Sequence, residues 1–413
     1  MVVSEALATR PDNVPEALVY DFDIHHDPGL LKDPHERVRQ LLREAPPLFW
    51  TPRNRGHWMA LKYQHAAKIL REPEFYSSSL ISERQKAAVK AMMPPDAHHM
   101  IELTPIMMDP PAHAKYRAPL QKAFSPQTMM ALKSEIELLA NALIDAVIEQ
   151  GHCDFVPTVT EQLPVRVFLK MMGLPEDRLS EFRALVHELL APSGDPMVQI
   201  GRIRKIAQAM TGVILERRDT PTGDLISVLW SLDIDGEPMT LALMEDFTTL
   251  LFVAGLDTVT NGMSFGIRHL AANPQLQAQL RGEPSAIVNV VEELLRRYTF
   301  TVTQRRVVND TELAGQILRA DQNVVVYLPA NNLDPSEFAE PEIFDERRDH
   351  KVHMAFGAGV HRCLGSHLAR IELQTLFGVV LERLPEFRID PDKPAAFYAG
   401  MVLAISALPI RWD

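Results

Sequence analysis

Phe356-Gly357-Ala358-Gly359-Val360-His361-Arg362-Cys363-Leu364-Gly365 decides how the rest of the chain is read. Three glycines and a cysteine fall within ten residues, and a helical pattern from Ser366 to about Leu384 follows at once. Gly357, Gly359 and Gly365 permit tight turns and close approach to a flat ligand, where a Cβ would clash. A cysteine just ahead of a helix has its thiolate favoured by the helix dipole and by amide N–H donors. Those are the requirements of a sulfur that stays anionic while bound to a metal. Standing alone, Cys363 would read as a small buried hydrophobe, as most free cysteines do. Its ordered surroundings reverse that reading.

Composition sets the bounds. The chain has 413 residues, 46% of them hydrophobic and 23% charged, which describes a globular protein with a large core. A formal charge of −12 argues against nucleic acid and against an acidic membrane surface as partners. Two cysteines, Cys153 and Cys363, form no disulfide framework and suit a reducing cytoplasm. Met1 to His26 carries Asp, Glu and Pro throughout and lacks the apolar stretch of a signal peptide. No uninterrupted apolar run reaches the ~18 residues of a membrane span. The longest candidate, Leu250 to Leu256, is stopped by Asp257.

Further signals sit upstream of the cysteine stretch. The first ~30 residues read as an irregular, proline-bearing arm, then a helix opens at Asp33-Pro34. Leu48–Trp50 and His57–Leu61 read as short strands of a small sheet. Ser77 to Met108, with Met92, Met93, Met100, Met107, Met108 and His98-His99, is expected to be a mobile apolar lid. In Asp109-Pro110-Pro111-Ala112-His113-Ala114-Lys115-Tyr116-Arg117 the prolines precede a helix that carries His113 and Arg117 at i and i+4. Two donors on one face suit an anionic partner. Met239 to about Leu270 predicts one long helix buried on all sides. Within it lies Ala254-Gly255-Leu256-Asp257-Thr258. Gly255 would admit a flat group, and Thr258 can back-bond to a carbonyl four residues earlier and bend the helix. Glu293-Leu294-Leu295-Arg296 pairs opposite charges at i and i+3.

These motifs, written F-G-x-G-x-H-x-C-x-G, D-P-P-x-H-x-x-x-R, A-G-x-D-T and E-x-x-R, occur in an order that resembles the cytochrome P-450 family. The resemblance runs from about residue 30 onward and is nearest to the bacterial camphor hydroxylases. It implies a mainly α fold with a small β portion, one domain over residues 1–413 with residues 1–30 as its arm. It also implies heme b (iron protoporphyrin IX) with Cys363 as the axial thiolate and metal ligand. His113, Arg117, Arg305 and His361 would hold the propionates, with Phe356 and Gly255 against the cofactor. Thr258 would hydrogen-bond dioxygen and Asp257 would gate protons. Glu293, Arg296 and Arg348 would form a buried structural triad.

Ile101, Leu103, Leu250, Val253, Thr301, Met401 and Val402 would line the substrate pocket, apolar but for one hydroxyl. The expected activity is a monooxygenase hydroxylating an unactivated C–H bond of a small cineole- or camphor-like terpenoid. Only residues 364–413 follow the cysteine, so two electrons are expected from a 2Fe-2S ferredoxin fed by an NAD(P)H-dependent reductase. The protein is expected to be a cytoplasmic monomer. Alternatives are hydroxylation of another hydrophobic substrate (an ionone-type norisoprenoid, a fatty acid or a steroid), peroxide-driven chemistry, or a non-enzymatic heme sensor or carrier. The acid–alcohol pair Asp257-Thr258 counts against the last two.

Overall fold

The computed structural model describes residues 7–92, 100–190, 196–349 and 352–413. The principal helices are α1 (Pro34–Glu44), α2 (Tyr63–Arg71), α3 (Glu83–Ala91), α4 (Ala112–Ala123), α5 (Lys133–Asp145), α6 (Gln162–Met172), α7 (Leu179–Leu190), α8 (Pro196–Asp219), α9 (Leu241–Gly255), α10 (Thr258–Ala271), α11 (Ile287–Arg297) and α12 (Ser366–Arg383). Local chemistry explains their starts. The Asp33 carboxylate accepts the Glu36 N–H and Pro34 fills the first turn of α1. Ser82 and Gln85 form a reciprocal capping box on α3, a helix not anticipated in the lid segment. His98-His99 and the other residues of 93–99 within that lid lie outside the described residues.

The principal strands are β1 (Leu48–Thr51), β2 (His57–Ala60), β3 (Tyr76–Ser77), β4 (His152–Asp154), β5 (Thr303–Val307), β6 (Asn323–Val326), β7 (Phe387–Ile389), β8 (Ala396–Tyr398), β9 (Ala404–Ala407) and β10 (Pro409–Trp412). A five-stranded sheet runs β1-β2-β6-β5-β3. β1 and β2 are antiparallel with Leu48 opposite Ala60, and β6 joins β2 in parallel with Val324 opposite Trp58. A smaller sheet runs β7-β10-β4, and β8 pairs with β9. Two cores result. One, around Trp58, Tyr76 and Phe338, covers the larger sheet. The other fills the helical body, with α9 and α10 packed against α8, α6, α11 and α12.

The structure adds to two expectations and changes one. The N-terminal arm is irregular but anchored: Val14, Phe22 and Ile24 are buried, and Val19 bridges to Trp50 of β1. The long helix is interrupted at Leu256-Asp257, so α9 and α10 are separate. The Leu241–Ala271 segment is, by length and hydropathy, long and apolar enough to cross a membrane, although Asp246 and Asp257 interrupt its apolar run. Yet 61% of its most apolar window is buried inside the protein, as a core helix requires.

Candidate active site

The cysteine loop is built by its backbone. The Cys363 N–H donates to Phe356 O at 2.8 Å and the Gly357 N–H to Met354 O at 2.8 Å. Gly357 and Gly359 have φ of 68° and 69°, the left-handed region that favours glycine. A Cβ on Gly359 would lie 2.1 Å from Leu70 O, so the loop is pressed against the end of α2. Gly365 differs: its φ is −78° and a Cβ there would meet no protein atom within 4 Å. Two of the three glycines are therefore demanded by protein backbone, and the tight approach of Gly359 is to α2.

Cys363 is accessible at its surface although it sits deep in the molecule. Burial pushes its thiol up, opposed by the Gly365 N–H and by the guanidiniums of Arg117, Arg362 and Arg370. Such a sulfur is held neutral until a cation meets it, and a metal ion supplies that charge. Cys153, buried in the smaller sheet, is pushed up by burial to about 11 and is inert. Arg370 stacks 4.5 Å over the Phe356 ring and is held by Glu292. Burial raises the Glu292 carboxyl, but Arg370 and His353 outweigh it and draw it down to about 2.

Four donors, from two distant segments and from the loop itself, converge here. Arg117 of α4 donates to Arg362 O. The His113 and His361 rings stand 4.2 Å apart. Arg305 of β5 is buried, its guanidinium on Thr303 Oγ1 at 3.1 Å and Gln304 O at 2.8 Å. Burial, then Arg305, His113 and Arg117, push His361 down to about 3. Burial lowers Arg305 to about 10. His113 Nε2, His361 Nε2 and Arg117 Nε are buried without hydrogen-bond partners. Two buried guanidiniums beside two imidazoles with orphaned nitrogens are costly unless an anion joins them. The cluster fits the carboxylates of a propionate-bearing cofactor whose metal meets Cys363.

The break between α9 and α10 is stabilised by side chains. Thr258 Oγ1 donates to Ala254 O at 3.0 Å, the back-bond that its position predicts. Asn261 Nδ2 donates to Asp257 O at 2.9 Å and to Asp257 Oδ2 at 3.3 Å. The Tyr398 hydroxyl reaches Asp257 Oδ2 at 3.4 Å. Sequence reasoning missed both partners. Asn261 was visible as the i+4 neighbour, whereas Tyr398 arrives from a strand 141 positions away. At Gly255 a Cβ would lie 2.9 Å from the Phe168 ring. A phenylalanine of α6 therefore packs on the side of this glycine where a side chain would stand.

Glu293 and Arg296 form a two-pronged pair at 2.8 and 2.7 Å, with 2% and 1% of their side chains exposed. Arg348 stands 3.5 Å from the same carboxylate. Arg296 also donates to Asn332 O and Pro341 O, so the triad ties α11 to the chain ahead of the cysteine loop.

The anticipated pocket residues come from three places. Thr301 bridges to Val402, while the Val302 N–H donates to Met401 O at 2.9 Å. Thr301 Oγ1 donates to Ala355 O at 3.3 Å. Leu250 is buried on α9 with half-buried Val253 nearby, and Met401 is exposed. Ile101 and Leu103, both half-buried, flank Glu102, whose N–H donates to Asp246 of α9.

The family model for cytochrome P-450 matches residues 202–410. The probable cytochrome P-450 127A1 of Sinorhizobium fredii is 32% identical over 97% of this chain and 96% of its own. A steroid C26-monooxygenase of Mycobacterium tuberculosis is 31% identical over 87% of this chain and 96% of its own. The crystal structure of CYP101J2 superposes with a TM-score of 0.87 at 30% identity, covering 98% of this chain and 100% of the other. That of CYP101C1 gives the same values. With a cysteine loop, a donor cluster and an interrupted central helix in one frame, the chain belongs to the cytochrome P-450 family, monooxygenases that carry heme on a cysteine thiolate.

Proposed function

We propose that this monooxygenase hydroxylates an unactivated C–H bond of a compact terpenoid, a bicyclic monoterpene of cineole or camphor size. The observation that carries the reading is the apolar character of Ile101, Leu103, Leu250, Val253, Met401 and Val402. The one hydroxyl among the pocket residues, on Thr301, is turned to the backbone carbonyl of Ala355. Such a lining offers few polar anchors and favours a small hydrocarbon-like molecule. The likeness to two CYP101 structures supports the same reading.

Bound to Cys363, heme supplies the dioxygen chemistry: one oxygen atom enters the C–H bond, and the other leaves as water with two electrons and two protons. In this reading the chain's own groups do the rest. His113, Arg117, Arg305 and His361 hold the propionates and so orient the cofactor. Asp257 passes protons inward with Thr258 as the terminal donor, while Tyr398 and Asn261 hold the carboxylate in place. The electrons come from a separate 2Fe-2S ferredoxin and its NAD(P)H-dependent reductase, and the protein works as a cytoplasmic monomer.

A steroid is the second reading, because one matched relative is named a steroid C26-monooxygenase and one matched structure is a complex with testosterone. Optical titration of the ferric protein separates the two. A blue shift of the Soret band with cineole or camphor at micromolar levels, and none with testosterone, is the expected result. The reverse pattern discards the terpenoid and keeps the monooxygenase.

A further inference from the structure

Asp246 lies on α9 with 7% of its surface exposed. A carboxylate buried in an apolar helix costs several kcal/mol unless it is satisfied. Here its Oδ1 accepts the Glu102 N–H at 2.8 Å and its Oδ2 accepts the Thr104 hydroxyl at 2.8 Å. Both donors belong to one short segment more than 140 positions upstream. Between them Leu103 has φ of 53°, a conformation that costs a leucine ~1–2 kcal/mol and persists only when held from both sides. The Ile106 N–H closes the turn on Leu103 O at 2.9 Å.

Helical spacing gives this contact its consequence. Asp246, Leu250 and Val253 stand at i, i+4 and i+7, on one face of α9. The same face that carries two pocket residues therefore grips the segment that carries two others, Ile101 and Leu103. Charge-assisted bonds of this kind are short and directional, and both run to a single carboxylate.

We infer that Asp246 is the positioning residue of the pocket roof: by holding Glu102 and Thr104 it fixes Ile101 and Leu103 over the Leu250–Val253 face and so sets the size of the molecule admitted. The inference rests on the heme-monooxygenase reading of the site and is independent of which substrate occupies it.

The test uses the heme-loaded protein with Asp246→Ala, Asp246→Asn and Thr104→Val. Hydrogen exchange is followed in peptides spanning 100–108, and affinities are measured for imidazole and the bulkier 4-phenylimidazole. Asp246→Ala is expected to speed exchange through this segment at least tenfold and to shrink the preference between the two ligands at least threefold. Thr104→Val removes one donor with little change in shape and gives a smaller change of the same sign, so the inference stays testable if Asp246→Ala folds poorly. In Asp246→Asn the amide oxygen can still take the Glu102 N–H, and the effect falls between the two.

Unchanged exchange in Thr104→Val and Asp246→Asn would overturn the latch. Faster exchange with unchanged discrimination would overturn its role in setting size. Exchange reports the latch whether or not the azoles bind, so its failure and failure of the heme reading give different results.

Discussion

Glu372 sits fully inside α12, and burial alone raises its carboxyl to about 8, against an ordinary value of 4.5. The folded protein therefore keeps this proton up to about pH 8, while the unfolded chain releases it near 4.5. Between those values the folded state binds more protons, so this residue's contribution falls as pH rises. A glutamine is neutral throughout and nearly the same shape. Glu372→Gln is expected to gain roughly 1–3 kcal/mol on the parent between pH 5 and pH 8. Urea midpoints at the two values check this, and an equal difference at both would remove the buried charge from the account. No pattern in the sequence marks Glu372, since an acid on a helix normally faces water. Cys363 was legible for the opposite reason: its spacing to three glycines, a phenylalanine and a histidine is a local chemical statement.

Elements follow the same division between local and distant information. Helix starts were readable where a cap and a proline coincide, as at Asp33-Pro34. The pairing of Glu293 with Arg296 was readable from i, i+3 spacing, and its burial was not, because burial is decided by the chain around Pro341 and Arg348. The break between α9 and α10 was hidden by unbroken apolar composition. It depends on where the Thr258 hydroxyl and the Asn261 amide point. At Gly255 the missing side chain told that something approaches, and the neighbour on the Cβ side, the Phe168 ring, comes from a distant helix and could not be read locally. The triad yields a prediction at this scale. Arg296→Ala leaves Glu293 buried with a more distant guanidinium at 3.5 Å and strips two carbonyls of their donor. The expected cost is ~3–5 kcal/mol, read as a lowered urea midpoint. Arg296→Lys recovers only part, because an ammonium cannot make the two-pronged contact. A loss under about 1 kcal/mol for Arg296→Ala would show that the pair is dispensable to the fold.

Across the whole molecule the two cores share one acid-sensitive feature. His35 packs edge-on against Phe265 and Tyr298 in the helical body, its Nε2–H donating to Thr299 O at 2.9 Å. His57 lies in β2 of the larger sheet, and His269 pairs with Tyr298. Burial holds all three neutral: His35 is lowered to about 3, His57 and His269 to about 4. In the unfolded chain each titrates at the ordinary 6.5. Between about pH 6.5 and pH 4 these histidines bind up to three more protons in the unfolded state; the proton that Glu372 keeps in the folded state offsets one of them above about pH 4.5, and stability still falls as pH falls. The slope approaches ~2–4 kcal/mol per pH unit, large beside the ~5–15 kcal/mol that a folded domain holds in reserve. Glu292 adds to the same trend at the lower end, since its stabilisation disappears as pH drops through the range from 4.5 to about 2. Thermal midpoints should hold near neutrality and drop steeply below pH 6. Replacing one histidine isolates its share. His57→Gln keeps a polar group of similar size near Asn54, His25 and Asp23, the groups that face it, and cannot be protonated. It is expected to flatten the acid limb by up to ~1.4 kcal/mol per pH unit while leaving the neutral midpoint within a few degrees. An acid limb as steep as the parent's would mean that His57 meets water before the sheet opens, and that the acid limit is set in the helical body alone.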